Sequence, residues 1–172
     1  MDFQGIYDRL KAQGAPGLIE ADEPRQPDPE NKKDKGRYGE PFVLVDASQI
    51  CHFMVLCRDD ERLGFELLAD LSAADPTKDS EELWVLYQLL SIKHHHRLMV
   101  KAKIPKADAK IDTLSGIYRA AQWHERECAE MFGITFNGHP DPRNMLLPDD
   151  WEGYPLRKDY EFPEEYHGIS CV

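Results

Sequence analysis

The sequence predicts an α+β fold: a small, mostly antiparallel sheet with helices packed on it, followed by an extended, proline-rich C-terminal arm. Three observations carry that expectation. Apolar residues recur at helical spacing near the N-terminus and again between Ser115 and Phe132, and they alternate at strand spacing in between. Beyond Gly138 apolar residues continue, but with neither period.

Phe3, Ile6, Tyr7 and Leu10 fall at i, i+3, i+4 and i+7, one stripe of a short amphipathic helix that Gly14 and Pro16 end. Glu20 to Glu40 holds three prolines, many charges and almost no apolar residues, which reads as a mobile loop. Phe42 to Val45 reads as a strand. Asp46 or Ser48 can cap a helix from about Gln49 to Arg58, with Ile50, Phe53, Met54 and Cys57 on one face. Phe65 to Leu71 alternates as a half-buried strand. Leu83–Ile92 and Leu98–Ile104 are β-rich runs joined by a solvated hairpin over Lys93–Arg97. In the second run Leu98, Val100, Ala102 and Ile104 share one face, with Lys101 and Lys103 toward water. Ser115 to Phe132 forms one or two helices, stopped by Gly133, and Ile134 to Phe136 gives a last short strand. The division expected is an N-terminal helix and polar loop over 1–40, a core over 41–137 and an arm over 138–172. The arm holds five of the twelve prolines. Its apolar side chains, from Met145 to Tyr166, cannot bury themselves within it and must lie on the domain or on another protein.

At 172 residues, 41% hydrophobic and 31% charged, the chain suits one globular domain. No apolar run approaches the ~18 residues of a membrane span. No apolar h-region or Arg-rich transit segment follows Met1, so a bacterial or archaeal cytoplasmic chain is expected. A net charge of −11 argues against nucleic acid, and the basic patch at Lys93–Arg97 is only local. Cys51, Cys57, Cys128 and Cys171 lack the close spacing that clusters and structural zinc require, so they are expected to be reduced and non-ligating.

His124-Glu125 begins like the zinc-protease helix, but position i+4 is Cys128 where that motif needs a second histidine. A metal-dependent hydrolase would have to use His124, Glu125 and His139. The run His94-His95-His96 reads as a hairpin turn, since neighbouring strand residues point to opposite faces. No glycine-rich phosphate loop and no nucleophile elbow occurs. Glu127 lies one turn from both Trp123 and Met131. A carboxylate on an apolar face either raises its pKa for proton chemistry or finds a cationic partner; structural pairing is the commoner outcome, and Arg143 and Arg157 are both candidates for a buried ion pair with it.

The run from Trp123 to Ile134, with Glu125-Arg126-Glu127, Met131 and Phe132-Gly133, is followed by Gly138-His139-Pro140-Asp141. Next come Leu147-Pro148-Asp149-Asp150-Trp151-Glu152-Gly153 and Pro155-Leu156-Arg157-Lys158-Asp159-Tyr160. This resembles the signature of the C-type, or 30 kDa-type, subunit of bacterial NADH-quinone oxidoreductase, respiratory complex I. A weaker resemblance runs upstream through Arg58-Asp59-Asp60, Gly64-Phe65, Leu71 to Asp75 and the strand after Arg97, and does not reach residues before about Pro41. Pro142, Arg143 and Asn144 stand where the family usually has Leu-Arg-Arg. Tyr154 stands for a common histidine, and Cys128 and Ala129 replace a commoner aliphatic or aromatic pair.

The resemblance implies a cofactor-free structural subunit of the peripheral arm, without catalytic residues. It implies iron-sulfur clusters, FMN and quinone in partner subunits, and a place on the cytoplasmic side of the bacterial plasma membrane held through the complex. The partners implied are the hydrogenase-large-subunit-like (D-type) subunit and the iron-sulfur subunits of types B, I and possibly G. The partner-facing signature residues are Glu125, Arg126, Glu127, His139, Asp141, Arg143, Asp150, Trp151, Arg157, Lys158, Asp159 and Tyr160. The nearest alternatives are the homologous subunit of a membrane-bound hydrogenase, a formate hydrogenlyase or a ferredoxin-driven complex.

Overall fold

A computed structural model describes residues 1–23 and 39–170. Helices α1 (Phe3–Ala12), α2 (Ile50–Asp59) and α3 (Ala121–Phe132) accompany a five-stranded sheet. Its strands are β1 (Leu18–Asp22), β2 (Phe42–Asp46), β3 (Leu67–Ala74), β4 (Glu82–Ser91) and β5 (His96–Pro105), in the spatial order β1-β2-β5-β4-β3. β2 runs parallel to β5, and the other three pairings are antiparallel. A separate parallel pair joins β6 (Lys110–Asp112) to β7 (Thr135–Asn137), and a small hairpin joins β8 (Glu165–Tyr166) to β9 (Ile169–Ser170).

Strict alternation makes the sheet's buried face. Leu83, Val85, Tyr87 and Leu89 of β4 and Leu98, Val100, Ala102 and Ile104 of β5 are all buried. Ile6 and Leu10 of α1 and Ile50, Phe53, Met54 and Cys57 of α2 belong to the same core. Asp46, not Ser48, makes a cap, and it caps the 3-10 turn Ala47–Gln49 that leads into α2. Its carboxylate accepts from the Ser48 amide and hydroxyl, while α2 itself starts after Gln49 without a side-chain cap.

Three expectations need correction, and one element was not foreseen. The proposed loop begins inside a strand, because Glu20–Asp22 pairs with β2; residues 24–38 of that loop lie outside the described residues. Phe65 does not start β3. Its amide donates to the Cys57 carbonyl and its carbonyl accepts from the Tyr118 hydroxyl, so the strand begins at Leu67. The histidine run is not simply a solvated turn. His96 is buried at the start of β5, with Nε2 2.6 Å from the Leu63 carbonyl and its ring on Phe65, and burial pushes its pKa down. Finally, β6 escaped notice because three residues are too few to show a period.

Candidate functional site

α3 presents one stripe to the core at i, i+4, i+7 and i+11: Ala121, Glu125, Cys128 and Phe132. Trp123 is 61% exposed and Glu127 is exposed too, so the expected buried pair of Glu127 with Arg143 or Arg157 does not form. The buried acids of this helix are Glu125 and Glu130 instead. Trp123 and Met131 had placed the apolar face on the wrong side; the stripe through Ala121 and Cys128 was the signal that points to Glu125.

Glu125 accepts from the Leu114 amide at 2.7 Å and from the Thr113 hydroxyl. Burial pushes its pKa up against those two donors and nearby His139. His139 lies 3.9 Å away, with Nε2 3.0 Å from the Gln122 carbonyl and Nδ1 accepting from the Asp141 amide. His124 instead lies 3.8 Å from Asp70, so the set needed by a metal hydrolase does not converge. Among the described residues no group of three His, Cys, Asp or Glu side chains could hold a metal ion. Cys51, Cys57 and Cys128 are free thiols, and burial pushes all three pKa values up; Cys171 lies outside the described residues.

The arm beyond Asn137 is fastened to this frame chiefly through backbone groups. Glu130 accepts from three successive amides, those of Met145, Leu146 and Leu147, at 2.9–3.1 Å. Consecutive amides converging on one carboxylate form an anion-binding concavity built from the arm itself. Arg126 donates to the Arg143 and Asn144 carbonyls, each at 2.9 Å, and lies 3.7 Å from Asp141. Arg143 forks onto Asp141 at 2.6 and 2.8 Å, holding that carboxyl below the usual range.

At the end of α3, Gly133 adopts φ +69°, the left-handed turn expected at a C′ position. Arg157 donates to the Phe132 carbonyl at 2.6 Å, placing a cation at the negative end of the helix, and its guanidinium lies over the Tyr154 ring. Further along, the buried carboxylate of Asp75 accepts from the Lys158 amide and from Lys106, which also pairs with Asp159 at 3.0 Å. Those carboxylates push the Lys106 pKa up. Glu130, Asp75 and Lys106 were not among the expected site residues, since nothing local in the sequence marks an acid that answers a distant backbone.

A last group stands apart. Asp150 accepts from the Tyr166 hydroxyl and pairs with His167, Trp151 tilts against Tyr166, and Tyr160 packs edge-on to Phe162. While its backbone is held, the arm leaves Leu146, Tyr154, Leu156 and Phe162 between 41% and 69% exposed. The arrangement orders a chain segment and presents apolar side chains outward.

Residues 43–166 match the family described as the respiratory-chain NADH dehydrogenase 30 Kd subunit. The chain belongs to that family. It is 46% identical over 134 residues to the C-type subunit of NADH-quinone oxidoreductase from Chloroherpeton thalassium, covering 76% of this chain and 54% of that one. It is 40% identical over 130 residues to the same subunit of Chlorobium phaeobacteroides, covering 75% and 78%. The chain thus spans about half the length of the first relative and more of the second. Among solved structures, it is similar to a chain in the membrane-bound sulfane sulfur reductase, an archaeal respiratory membrane complex. The TM-score there is 0.70 at 26% identity, covering 92% of this chain and 85% of that one. The family match and this likeness agree with the expected α+β fold.

Proposed function

We propose that this 30 kDa-family chain is a structural subunit of the peripheral arm of a proton-pumping NADH:quinone oxidoreductase, bracing the subunits that carry the quinone site and the iron-sulfur clusters. The observation that carries this reading is the arm. Buried Glu130 and Asp75 fix its backbone, yet among the described residues none of its apolar side chains is fully buried, a combination suited to a preformed docking surface.

In this reading the chain has the three parts 1–40, 41–137 and 138–172, and works without catalytic residues or a cofactor of its own. FMN, clusters and quinone reside in its partners. Those partners are the hydrogenase-large-subunit-like subunit and the neighbouring iron-sulfur subunits, on the cytoplasmic side of the plasma membrane. Among the described residues no helix is long and apolar enough to cross a membrane; in this reading attachment runs through the complex. Arg126, Arg143, Trp151, Arg157 and Tyr160 are the signature positions best suited to carry contacts, since aromatic and arginine side chains dominate interface energetics.

Affinity purification of the tagged chain from native membranes tests this reading. Recovery with the large subunit and iron-sulfur subunits is expected, and recovery alone overturns it. The likeness to the sulfane sulfur reductase chain favours one second reading, the equivalent subunit of a relative driven by another donor. In that case the same purification yields the large subunit without any NADH-oxidising subunit.

A further inference from the structure

Asn137-Gly138 is the one Asn-Gly pair in the sequence, and it stands at the joint between the core and the arm. Asn137 closes β7, opposite Asp112 of β6. The His139 amide donates to the Phe136 carbonyl at 3.2 Å, so Asn137 and Gly138 are the central residues of a tight turn. Gly138 takes φ +79° there, at the position that a type II turn reserves for glycine. Three features leave the pair open to chemistry. Both residues are exposed. A Cβ built at Gly138 would meet only a methyl group of Thr113, at 3.5 Å, so nothing crowds the turn. The Gly138 amide donates to no acceptor among the described residues, and the one bond given to the Asn137 side chain runs from Nδ2 to Asp112 at 3.1 Å.

We infer that Asn137 is a modification site: it deamidates spontaneously to aspartate and isoaspartate, and so loosens the root of the arm. The Gly138 amide nitrogen, having given its proton to hydroxide, attacks Cγ of Asn137. A bond forms between them, the Cγ–Nδ2 bond breaks, and ammonia leaves with a proton taken from water. Water then opens the cyclic imide at Cγ to give aspartate, or at the main-chain carbonyl to give isoaspartate; nothing is oxidised or reduced. Glycine permits the attack because no side chain shields its nitrogen. The Thr113 amide donates to the Asn137 carbonyl at 3.0 Å and slows the approach, but a surface strand pair of three residues opens locally. Both products fit the joint badly. The aspartate carboxylate replaces the hydrogen bond to Asp112 with like-charge repulsion. Isoaspartate adds a methylene to the main chain inside the turn. That shifts His139, whose Nε2 lies 3.0 Å from the Gln122 carbonyl and makes the arm's first contact with α3. The inference does not depend on which partners the arm meets.

The test incubates the full chain at neutral and at mildly alkaline pH, beside a free peptide of residues 133–141. Tryptic mapping by mass spectrometry locates the conversion, and methylation by an isoaspartyl methyltransferase identifies isoaspartate. Conversion should occur at Asn137 but not at Asn144, whose neighbour Met145 carries a shielding side chain. It should accelerate with pH and vanish in Asn137→Ser. The converted chain, separated by its added negative charge, should be cut by trypsin after Arg143 several-fold faster than the unconverted chain. Asn137→Asp, which changes the charge without lengthening the main chain, should show a smaller increase. No conversion at Asn137 by the time the peptide has converted fully, or equal conversion at Asn144, overturns the site. Converted chain that is cut at the unmodified rate overturns the loosening of the arm.

Discussion

Glu130 and Asp75 do at single positions what a hydrophobic core does over many. Each is a buried carboxylate that accepts from the arm, Glu130 from three amides and Asp75 from the Lys158 amide beside Lys106, so losing Glu130 leaves several arm amides unmet at once. Glu130→Gln replaces one acceptor oxygen with a donor that faces amide N–H groups. It should cost about 1–3 kcal/mol in urea unfolding and speed tryptic cleavage after Arg143; an unchanged midpoint with unchanged cleavage would make the concavity dispensable. Glu125 makes a prediction of opposite character. Its pKa is raised in the folded protein by burial, so the folded state holds that proton more tightly than the unfolded chain does. Its favourable contribution is therefore fully present below the ordinary value of 4.5 and is lost as pH rises through the raised one. Glu125→Gln should flatten this part of the stability–pH curve. A wild-type protein that instead gains stability over the variant as pH rises from 4.5 would contradict the assignment.

Where α3 ends, backbone and arm constrain the same residue. Gly133 needs its positive φ, and the Tyr154 ring lies within 2.5 Å of where a Cβ would sit. Gly133→Ala should cost about 1–2 kcal/mol for the left-handed backbone alone, with a further penalty from displacing Tyr154. Adding Tyr154→Ala should recover only the second part, so a double-mutant cycle in thermal unfolding should be strongly non-additive. Simple additivity would mean that the ring moves aside freely. The stop at Gly133 was readable because a glycine after a periodic run is a local signal. So were β4 and β5, whose alternation runs for ten residues each. The α3 face was misread by one stripe because Trp123 is apolar yet exposed, and Met131 packs only against the margin of the core. Arg126, Asp141, Arg143 and Arg157 were legible as a group through the signature they share. What each one holds was less so: Arg143 pairs with Asp141 two residues away, whereas Arg126 and Arg157 answer backbone carbonyls that no side-chain pattern reveals.

The arm's contribution to the whole molecule can be separated from the core's. The buried hydrophobic cluster ends at Phe136, with no member beyond it among the described residues. A chain truncated after Asn137 should therefore still unfold cooperatively by calorimetry, yet fail to copurify with its neighbour subunits. A truncated chain that is unfolded, or one that still assembles, would refute this division of labour. The parallel pairing of β2 with β5 bears on how the molecule is made. During synthesis Phe42–Asp46 has no neighbour on its β5 side until His96–Pro105 has left the ribosome, and closing so long a loop is entropically slow. β4 and β5, adjacent along the chain, can pair at once and offer β2 an edge to join. The topology thus favours a sheet whose β2 joins an edge that the later β4–β5 hairpin has already made.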